Sequence, residues 1–314
     1  MPEKAPAIHA EPAWLTIGTF DGVHLGHQAI ITKLVHGAHA RNKPAMVVTF
    51  FPHPVEILQG LNGPYYLSTP QERENLIKAL GVDEVITLDF TLEFAKKTAR
   101  TFIENLHAQS PFACILVGYD FRFGVNREGG ISILRNLGQE FGFEVQTISP
   151  QSIHGQVISS SAIRQLILSH KVDQAAELLG RWYSVSGEVV HGDGRGKHIG
   201  VPTANVAAWP RRLMPATGVY AARVDVDSVS YPAVLNIGSR PTFYFPPAEQ
   251  TVEVHILDFH EDIYGKIIKV NFIDFLRLEK RFHSGEELMD QIRKDIQKTC
   301  EVLAHAPQTP NLPA

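Results

Sequence analysis

The sequence predicts an α/β domain with a doubly wound parallel sheet, followed by a smaller antiparallel β-barrel domain that ends in a helix. The chain has 314 residues, a length at which one hydrophobic core usually stops growing. Short apolar runs alternate with longer amphipathic stretches from Trp14 to about Gly180, and the period then changes to that of strands. We therefore predict two domains, 1–180 and 181–306, and a disordered tail at 307–314.

Five short apolar runs are the candidate strands of the first domain. They cover 14–18, 45–51, 84–90, 114–119 and 144–149. One of the helical patterns between them begins with Thr69 as N-cap, Pro70 in the first position and Glu72 closing a capping box. Ligands of such sheets bind beyond the carboxyl ends of the strands, where unusual loops follow Gly18 and Gly118. We expect a binding site at these two loops.

The second half has the pattern of a small antiparallel barrel. Segments that alternate or are rich in β-branched residues are separated by Gly, Pro, Asp and Ser. These segments are SGEVV, GVYAARVDVD, YPAVLNIG, TVEVHILDF and IIKVNFI. A last helix is predicted to begin at Ser284, with Glu287 supporting its N-terminal cap.

Composition and charge restrict the class of function. With 44% hydrophobic and 20% charged residues, the chain is typical of a globular protein. Its net charge of -4 argues against broad attraction to nucleic acid, so we predict no nucleic-acid partner. The first residues lack the apolar segment of a signal peptide, and no run reaches the ~20 apolar residues of a membrane helix. We predict a cytoplasmic protein without a membrane partner, and we make no prediction of its oligomeric state.

The isolated Cys114 and Cys300 are predicted to be packing residues.

The loop after the first strand, GTFDGVHLGHQAII, is the first candidate site. Glycines at 18, 22 and 26 let the backbone approach a ligand, and the following helix N-terminus attracts an anion. His24 and His27 can donate hydrogen bonds to phosphate oxygens as charge develops on a leaving pyrophosphate. In the alternative interpretation, His24 caps the loop and His27 packs on the helix.

The segment GTFDGVHLGH resembles the signature of nucleotidyltransferases with an H-x-G-H loop, in the form found in bacterial FAD synthetases. TFFPHP, VGYDFRFG and ISSSAIRQLI follow in the order of that family. The resemblance implies a Rossmann-like domain that transfers AMP from ATP to FMN, with His24 and His27 as catalytic residues. It assigns nucleotide or phosphate contacts to Gly18, Phe20, Asp21, Gly22, Asn126, Ser159, Ser160 and Arg164. It places Asp120 and Phe123 against the nucleotide and flavin.

Several positions depart from that family pattern. Phe51 stands where Glu is usual, Gly130 where an acidic or amide residue is usual, and Ser161 with Ala162 where Thr and a basic residue are common. The missing carboxylate at Gly130 would weaken magnesium or ribose contacts. Taken alone, SSSAIR is an N-cap cluster followed by a solvated Arg164.

The densest glycine segment, SGEVVHGDGRGKHIGVPTANV, is the second candidate site. His191 and His198 occupy positions where a Walker A motif needs Gly and Ser or Thr, and no helical pattern follows as a dinucleotide fingerprint requires. Composition alone describes a flexible turn. The segment resembles the riboflavin kinase signature, in which a glycine-rich loop covers ATP above the P-T-A-N residues. GVYAARV, LNIGSRPTF, TVEVHILDF, DIYGK and LRLEKRF follow in that family's order.

This second resemblance implies particular roles. It assigns nucleotide and phosphate contacts to Gly192, Gly196, Lys197 and Gly200. Thr203 and Asn205 are implied ligands of Mg²⁺, which prefers hard oxygen donors. Glu253 matches the base that accepts the proton of the ribityl 5′-hydroxyl, and Arg277 matches a flavin contact. From the residues alone, Glu253 is an outward-facing strand carboxylate and Arg277 belongs to a surface salt bridge.

Together the resemblances predict a bifunctional enzyme. It phosphorylates riboflavin to FMN with ATP and Mg²⁺, then transfers AMP from ATP to FMN, giving FAD and pyrophosphate. The alternatives are a riboflavin kinase with a weakened or inactive adenylyltransferase half, a flavin-binding regulator or carrier, and an H-x-G-H enzyme for another acceptor, such as a cytidylyltransferase. Intact Thr203, Asn205 and Glu253 count against the regulator, and the attached kinase domain counts against the cytidylyltransferase.

Overall fold

The computed structural model describes residues 12–192, 200–239 and 250–308. The chain forms two compact units. The first consists of Met1–Gly63 and Ser68–Ser159, and the second of Pro64–Leu67 and Ser160–Ala314.

A parallel five-stranded sheet with the order β3-β2-β1-β4-β5 forms the centre of the first unit. Its strands are β1 (Ala13–Ile17), β2 (Ala45–Phe51), β3 (Glu84–Asp89), β4 (Phe112–Gly118) and β5 (Glu144–Ile148). The predicted strand ends agree with these bounds to within two residues. The predicted parallel α/β domain is therefore confirmed.

Helices cover both faces of this sheet because alternate strand residues point to opposite sides. The helices are α1 (Leu25–His39), α2 (Pro54–Gln59), α3 (Pro70–Lys78), α4 (Ala99–Gln109) and α5 (Ile131–Phe141). In β1, Leu15 packs in the core under α4 and α5, whereas Trp14 packs in the core under α1 and α3. The capping box predicted at Thr69 and Glu72 is present. A short hairpin, β6 (Ser152–Ile153) and β7 (Gln156–Val157), completes the unit.

A closed antiparallel barrel with the order β10-β11-β12-β9-β8-β13 forms the centre of the second unit. Its strands are β8 (Tyr183–Val190), β9 (Ala204–Ala208), β10 (Gly218–Val226), β11 (Val229–Ser239), β12 (Gln250–Ile256) and β13 (Ile267–Arg277). Alternate residues such as Val252, Val254 and Ile256 are buried, as expected for the inner face of a small barrel. The predicted barrel is confirmed.

Two helices that precede the barrel strands in the sequence belong to the second unit. These are α6 (Ser160–Leu168) and α7 (Val172–Leu179). Helix α7 packs on β8 and β13, and the Nε2 atom of His170 lies 3.1 Å from the Thr217 carbonyl oxygen. The change from the first compact unit to the second thus occurs at Ser160. The domain boundary predicted at Gly180 stays a prediction.

The last helix, α8 (Gly285–His305), packs on β10, β11 and β13. The predicted N-cap is present, since the Ser284 side chain accepts a hydrogen bond from the Glu287 N–H at 3.1 Å. Arg223 donates hydrogen bonds to the carbonyls of Leu303 and Ala306, at 3.1 and 3.2 Å. Both ends of α8 are thus held, and the helix forms a fixed wall against the barrel.

The two cysteines differ from each other. Both are free thiols. Cys114 is buried in the sheet, and burial raises the pKa of its thiol to about 12, which confirms its packing role. Cys300 is exposed on α8, so its predicted packing role is wrong. Within the described ranges, no helix combines the length and the apolar character needed to cross a membrane.

Candidate active sites

The loop between β1 and α1 turns sharply before the helix. Phe20, Gly22 and Val23 all have positive φ angles, of 48°, 81° and 38°. His24 is the N-cap of α1, and its Nδ1 accepts a hydrogen bond from the His27 N–H at 3.3 Å. In a neutral imidazole, an accepting Nδ1 places the proton on Nε2. The capping role considered for His24 is therefore present.

The structure brings the two predicted catalytic histidines into contact. Their rings stack with centroids 3.6 Å apart, and the Phe20 ring meets His27 edge-on at 5.1 Å. A Cβ atom at Gly26 would stand 3.2 Å from the His24 ring, so glycine permits this close approach. Both imidazoles lie at the N-terminus of a 15-residue helix, whose amides favour an anion. The arrangement suits stabilisation of a polyphosphate.

Asp21 is fully buried and holds the loop. Its carboxylate accepts hydrogen bonds from the Ser68 N–H at 3.1 Å and the Ser68 hydroxyl at 3.2 Å. The Ser68 hydroxyl in turn accepts a hydrogen bond from the Gly22 N–H at 3.0 Å. These contacts connect the turn to the residue preceding the Thr69 cap, so Asp21 and Ser68 together fix the shape of the turn.

A second buried charge supports the same loop. Arg73 of α3 is 1% exposed and donates hydrogen bonds to the carbonyls of Thr19 and Phe50, at 3.0 and 3.1 Å. The Thr49 hydroxyl also donates to the Thr19 carbonyl, at 3.0 Å. Burying a guanidinium is costly unless its N–H groups are bonded. Arg73 therefore fixes the end of β2 to the start of the loop between β1 and α1, residues 18–24, which we call the histidine loop.

The loop after β4 places its predicted residues differently from one another. Asp120 is exposed and lines a cavity of about 430 Å³. Phe123 instead packs in the core, with its ring centroid 6.0 Å from that of Phe102. Asn126 is exposed with a φ of 54°. A Cβ atom at Gly130 would meet Nη1 of Arg122 at 2.5 Å. The Arg122 guanidinium thus fills the space that a side chain at Gly130 would need.

The ISSSAIR segment begins beside the histidine loop. The Ile158 carbonyl lies 3.7 Å from the position of a Cβ atom on Gly26, and Ser159 follows directly before α6. Ser160 is the first residue of that helix.

Arg164 is 7% exposed. Its Nε donates to the Tyr65 carbonyl at 2.9 Å, and its guanidinium lies 3.7 Å from the centre of the Tyr65 ring. The prediction of a solvated arginine is therefore wrong.

In the barrel, three polar side chains lie in one row across neighbouring strands. Glu253 of β12 pairs with Asn205 of β9 on one side and with Asn236 of β11 on the other. Directly paired strand residues have adjacent side chains on one face. Since Val252 and Val254 fill the interior, Glu253 faces away from the barrel axis, as the residues alone predicted. Helix α8 lies over that outer face, however, and a cavity remains between the helix and the strands.

Two cavities meet at the start of β9. The helix-side cavity, about 280 Å³, is lined by residues that include Asn236, Glu253, His255 and Leu288. The loop-side cavity, about 430 Å³, is lined by residues that include Pro202, Ile256, Phe259 and Tyr264. Thr203 lines both cavities. Thr203 therefore lies where the two cavities meet.

The glycine-rich segment is described in part. A Cβ atom at Gly192 would overlap the amide group of Asn205, so glycine is required for this approach. Gly200 has a φ of 78°, a conformation that favours glycine. The predicted contacts Gly196 and Lys197 lie outside the described residues.

Arg277 forms a salt bridge with α8. Its Nε and Nη2 donate to the Asp295 carboxylate at 3.0 and 2.6 Å, and Gln291 also donates to Asp295, at 3.0 Å. Arg277 lines the helix-side cavity with its side chain 23% exposed. The predicted salt bridge is present, and its partner fixes α8 over the cavity; the flavin contact stays a prediction.

Sequence reasoning missed four supporting residues. They are Ser68, Arg73, Asn236 and His255. For His255 a signal existed, because strand alternation in TVEVHIL places it on the same face as Glu253. The contacts of Ser68 and Arg73 to the histidine loop span 46 and 54 residues, and no local pattern encodes such partners.

Comparisons with known proteins agree with this two-part geometry. The family model described as FAD synthetase matches residues 7–162, and the model described as riboflavin kinase matches residues 179–303. The bifunctional riboflavin kinase/FMN adenylyltransferase of Escherichia coli K12 is 41% identical over 285 residues, 90% of each chain. The protein of the same name from Bacillus subtilis 168 is 36% identical, covering 93% of this chain and 92% of that one.

A solved structure has a similar fold over nearly the whole chain. A Streptococcus pneumoniae chain described as a macrolide-efflux protein aligns with a TM-score of 0.85 and 34% identity, covering 94% of this chain and 96% of its own. The combination of both family models in one chain confirms the predicted two-domain transferase. This chain belongs to the bifunctional riboflavin kinase/FMN adenylyltransferase family.

Proposed function

We propose that the barrel domain phosphorylates riboflavin with ATP and that the α/β domain then joins AMP to the resulting FMN. One observation carries the proposal for the kinase step. Glu253 and Asn205 are ladder partners beside Thr203, where two cavities meet. A base, oxygen ligands and two cavities thus converge at one point.

In the kinase step, riboflavin occupies the helix-side cavity and ATP the loop-side cavity. The apolar wall that Phe282, Leu288 and Ile292 contribute to the helix-side cavity suits the flavin ring. The ribityl 5′-oxygen attacks the γ-phosphorus, the bond from that phosphorus to the β,γ-bridging oxygen breaks, and ADP leaves. Glu253 accepts the proton of the 5′-hydroxyl.

The residues at the start of β9 fit a magnesium ion. Thr203 and Asn205 supply a hydroxyl and an amide oxygen, hard donors of the type that Mg²⁺ prefers beside substrate phosphates and water. Thr203 and Asn205 would hold the ion, and bound Mg²⁺ would neutralise charge on the transferred phosphoryl group. Gly192 permits this by leaving room for the Asn205 amide.

In the adenylyl step, a phosphate oxygen of FMN attacks the α-phosphorus of ATP, and pyrophosphate leaves. His24 and His27 donate hydrogen bonds to phosphate oxygens as negative charge grows on the leaving group. The amides at the start of α1 add to this stabilisation. We assign Asp21 a positioning role through Ser68. Contacts of ATP or FMN with Gly18, Asp120, Ser159, Ser160 and Arg164 stay predictions.

Product analysis tests the proposal. Purified protein is incubated with riboflavin, ATP and Mg²⁺, and riboflavin, FMN and FAD are separated over time. We expect FMN to form first and FAD to follow. FMN without FAD would contradict the adenylyl step, and unchanged riboflavin would contradict the kinase step. The cytoplasmic location and the absence of a nucleic-acid partner stay predictions.

A further inference from the structure

The His255 side chain connects the two cavities. Its ring lines the helix-side cavity, and its Nδ1 lies 2.8 Å from the carbonyl oxygen of Pro202, which lines the loop-side cavity. A carbonyl oxygen accepts, so Nδ1 carries the proton and donates. This donation is possible in both the neutral and the protonated ring. The hydrogen bond therefore joins a residue that lines the proposed flavin cavity to one that lines the proposed nucleotide cavity.

This hydrogen bond lies directly beyond the end of the ladder between β9 and β12. Strand β9 pairs with β12 at Asn205–Glu253 and Ala204–Val254, and Ala204 is the first residue of β9. Proline has no N–H and cannot extend a ladder as a donor. The His255 side chain supplies a bond to the backbone just before that ladder.

The bonded carbonyl belongs to the peptide group between Pro202 and Thr203. A peptide group is planar, so a hydrogen bond to its oxygen fixes the orientation of the Thr203 backbone. The Thr203 hydroxyl is attached to Cβ, two bonds from Cα of that backbone, and Thr203 lines both cavities. An error of about 1 Å in a catalytic group can cost about 10²-fold in rate.

We propose that His255 is a positioning residue for phosphoryl transfer: it holds the Pro202–Thr203 peptide and so places the Thr203 hydroxyl between acceptor and nucleotide. The inference rests on the proposed kinase function. It assigns His255 no proton transfer and no direct contact with the transferred phosphoryl group.

The test compares His255→Asn with His255→Leu in the full chain. The Asn amide nitrogen is as many bonds from Cβ as Nδ1 and can donate to Pro202, whereas Leu cannot. We expect the Leu variant to lose about 10-fold or more in kcat for FMN formation at saturating ATP and Mg²⁺. The Asn variant should recover most of that loss. Because His255 also lines the proposed flavin cavity, riboflavin affinity is measured separately, by quenching of flavin fluorescence, and should fall less than kcat in the Leu variant.

The matched control is His305→Leu. His305 also has Nδ1 at 2.8 Å from a backbone carbonyl, that of Glu301, but it lies at the end of α8 and lines neither cavity. Its kcat should equal that of the unaltered protein. FAD synthesis from supplied FMN should stay unchanged in every variant.

Three results would overturn the inference: wild-type kcat in His255→Leu, an Asn variant as slow as the Leu variant, or a loss confined to riboflavin affinity. If His255→Leu does not fold, His255→Ala replaces it, and failure of both to fold assigns His255 a purely structural role. An unaltered protein that makes no FMN would instead contradict the proposed kinase function.

Discussion

The two candidate sites are supported in different ways. In the α/β unit, the histidine loop takes its shape from buried side chains far away in sequence, Ser68 and Arg73. In the barrel unit, Asn205, Glu253 and Asn236 are aligned by the register of adjacent strands. The histidine loop therefore depends on specific long-range hydrogen bonds of side chains, whereas the three paired residues of the barrel site take their geometry from the backbone ladder. Substitutions should separate these two kinds of support.

The largest effect is expected for the double change His24→Ala and His27→Ala. Removing both imidazole donors should reduce FAD synthesis from supplied FMN by about 10² to 10³-fold. FMN formation from riboflavin should persist, since its base belongs to the barrel. The measurement is initial rate for each reaction, with His36→Ala, on the same helix, as the control. Equal losses in both reactions would show that the two sites are not independent.

The next largest effect is expected for Glu253→Gln. The change keeps side-chain size but removes basicity, so FMN formation should fall by about 10²-fold or more, with riboflavin binding retained. The control is Glu188→Gln, which alters an exposed carboxylate on β8. Unchanged turnover would reduce Glu253 to an ordinary carboxylate of a strand.

A smaller effect is expected for Ser68→Ala, which tests the support of the histidine loop. It removes a hydroxyl that bonds both the Asp21 carboxylate and the Gly22 N–H. The free energy of unfolding should fall by about 1–3 kcal/mol. FAD synthesis should fall by about 10-fold because the histidines shift. Denaturant titration and FAD rates measure the two effects, with Ser152→Ala in the β6–β7 hairpin as the control. A stable variant with a full FAD rate would remove Ser68 from the support of the loop.

The smallest effect is expected for Gly130→Asp. The new carboxylate would displace the flexible end of Arg122 and form an exposed ion pair with it, worth about 0–1 kcal/mol. Because the Arg122 guanidinium would neutralise the new carboxylate, FAD synthesis should stay within about threefold of the unaltered rate. Gly130→Asn is the uncharged control. A tenfold increase specific to Asp would show that the missing carboxylate limits this domain.

The regular elements were predictable because their signals are local. The capping box at Thr69 and the parallel strands follow from neighbouring residues, and the period change after Gly180 marks the start of β8. The burial of Phe123 and Arg164 could not be predicted, since each depends on partners from distant segments, Phe102 and Tyr65. Asp295 as the partner of Arg277 was likewise hidden, because it requires α8 to pack on the barrel.

The closure of the barrel affects how copies of this protein can associate. A closed barrel has no edge strand, so another chain cannot extend it by backbone pairing. The parallel sheet does have edges, β3 and β5. Both begin with glutamate, Glu84 and Glu144, and β3 also ends with Asp89. Pairing of two β3 edges would bring carboxylates together in either direction, because this strand is acidic at both ends, and their repulsion opposes growth of the sheet through that edge.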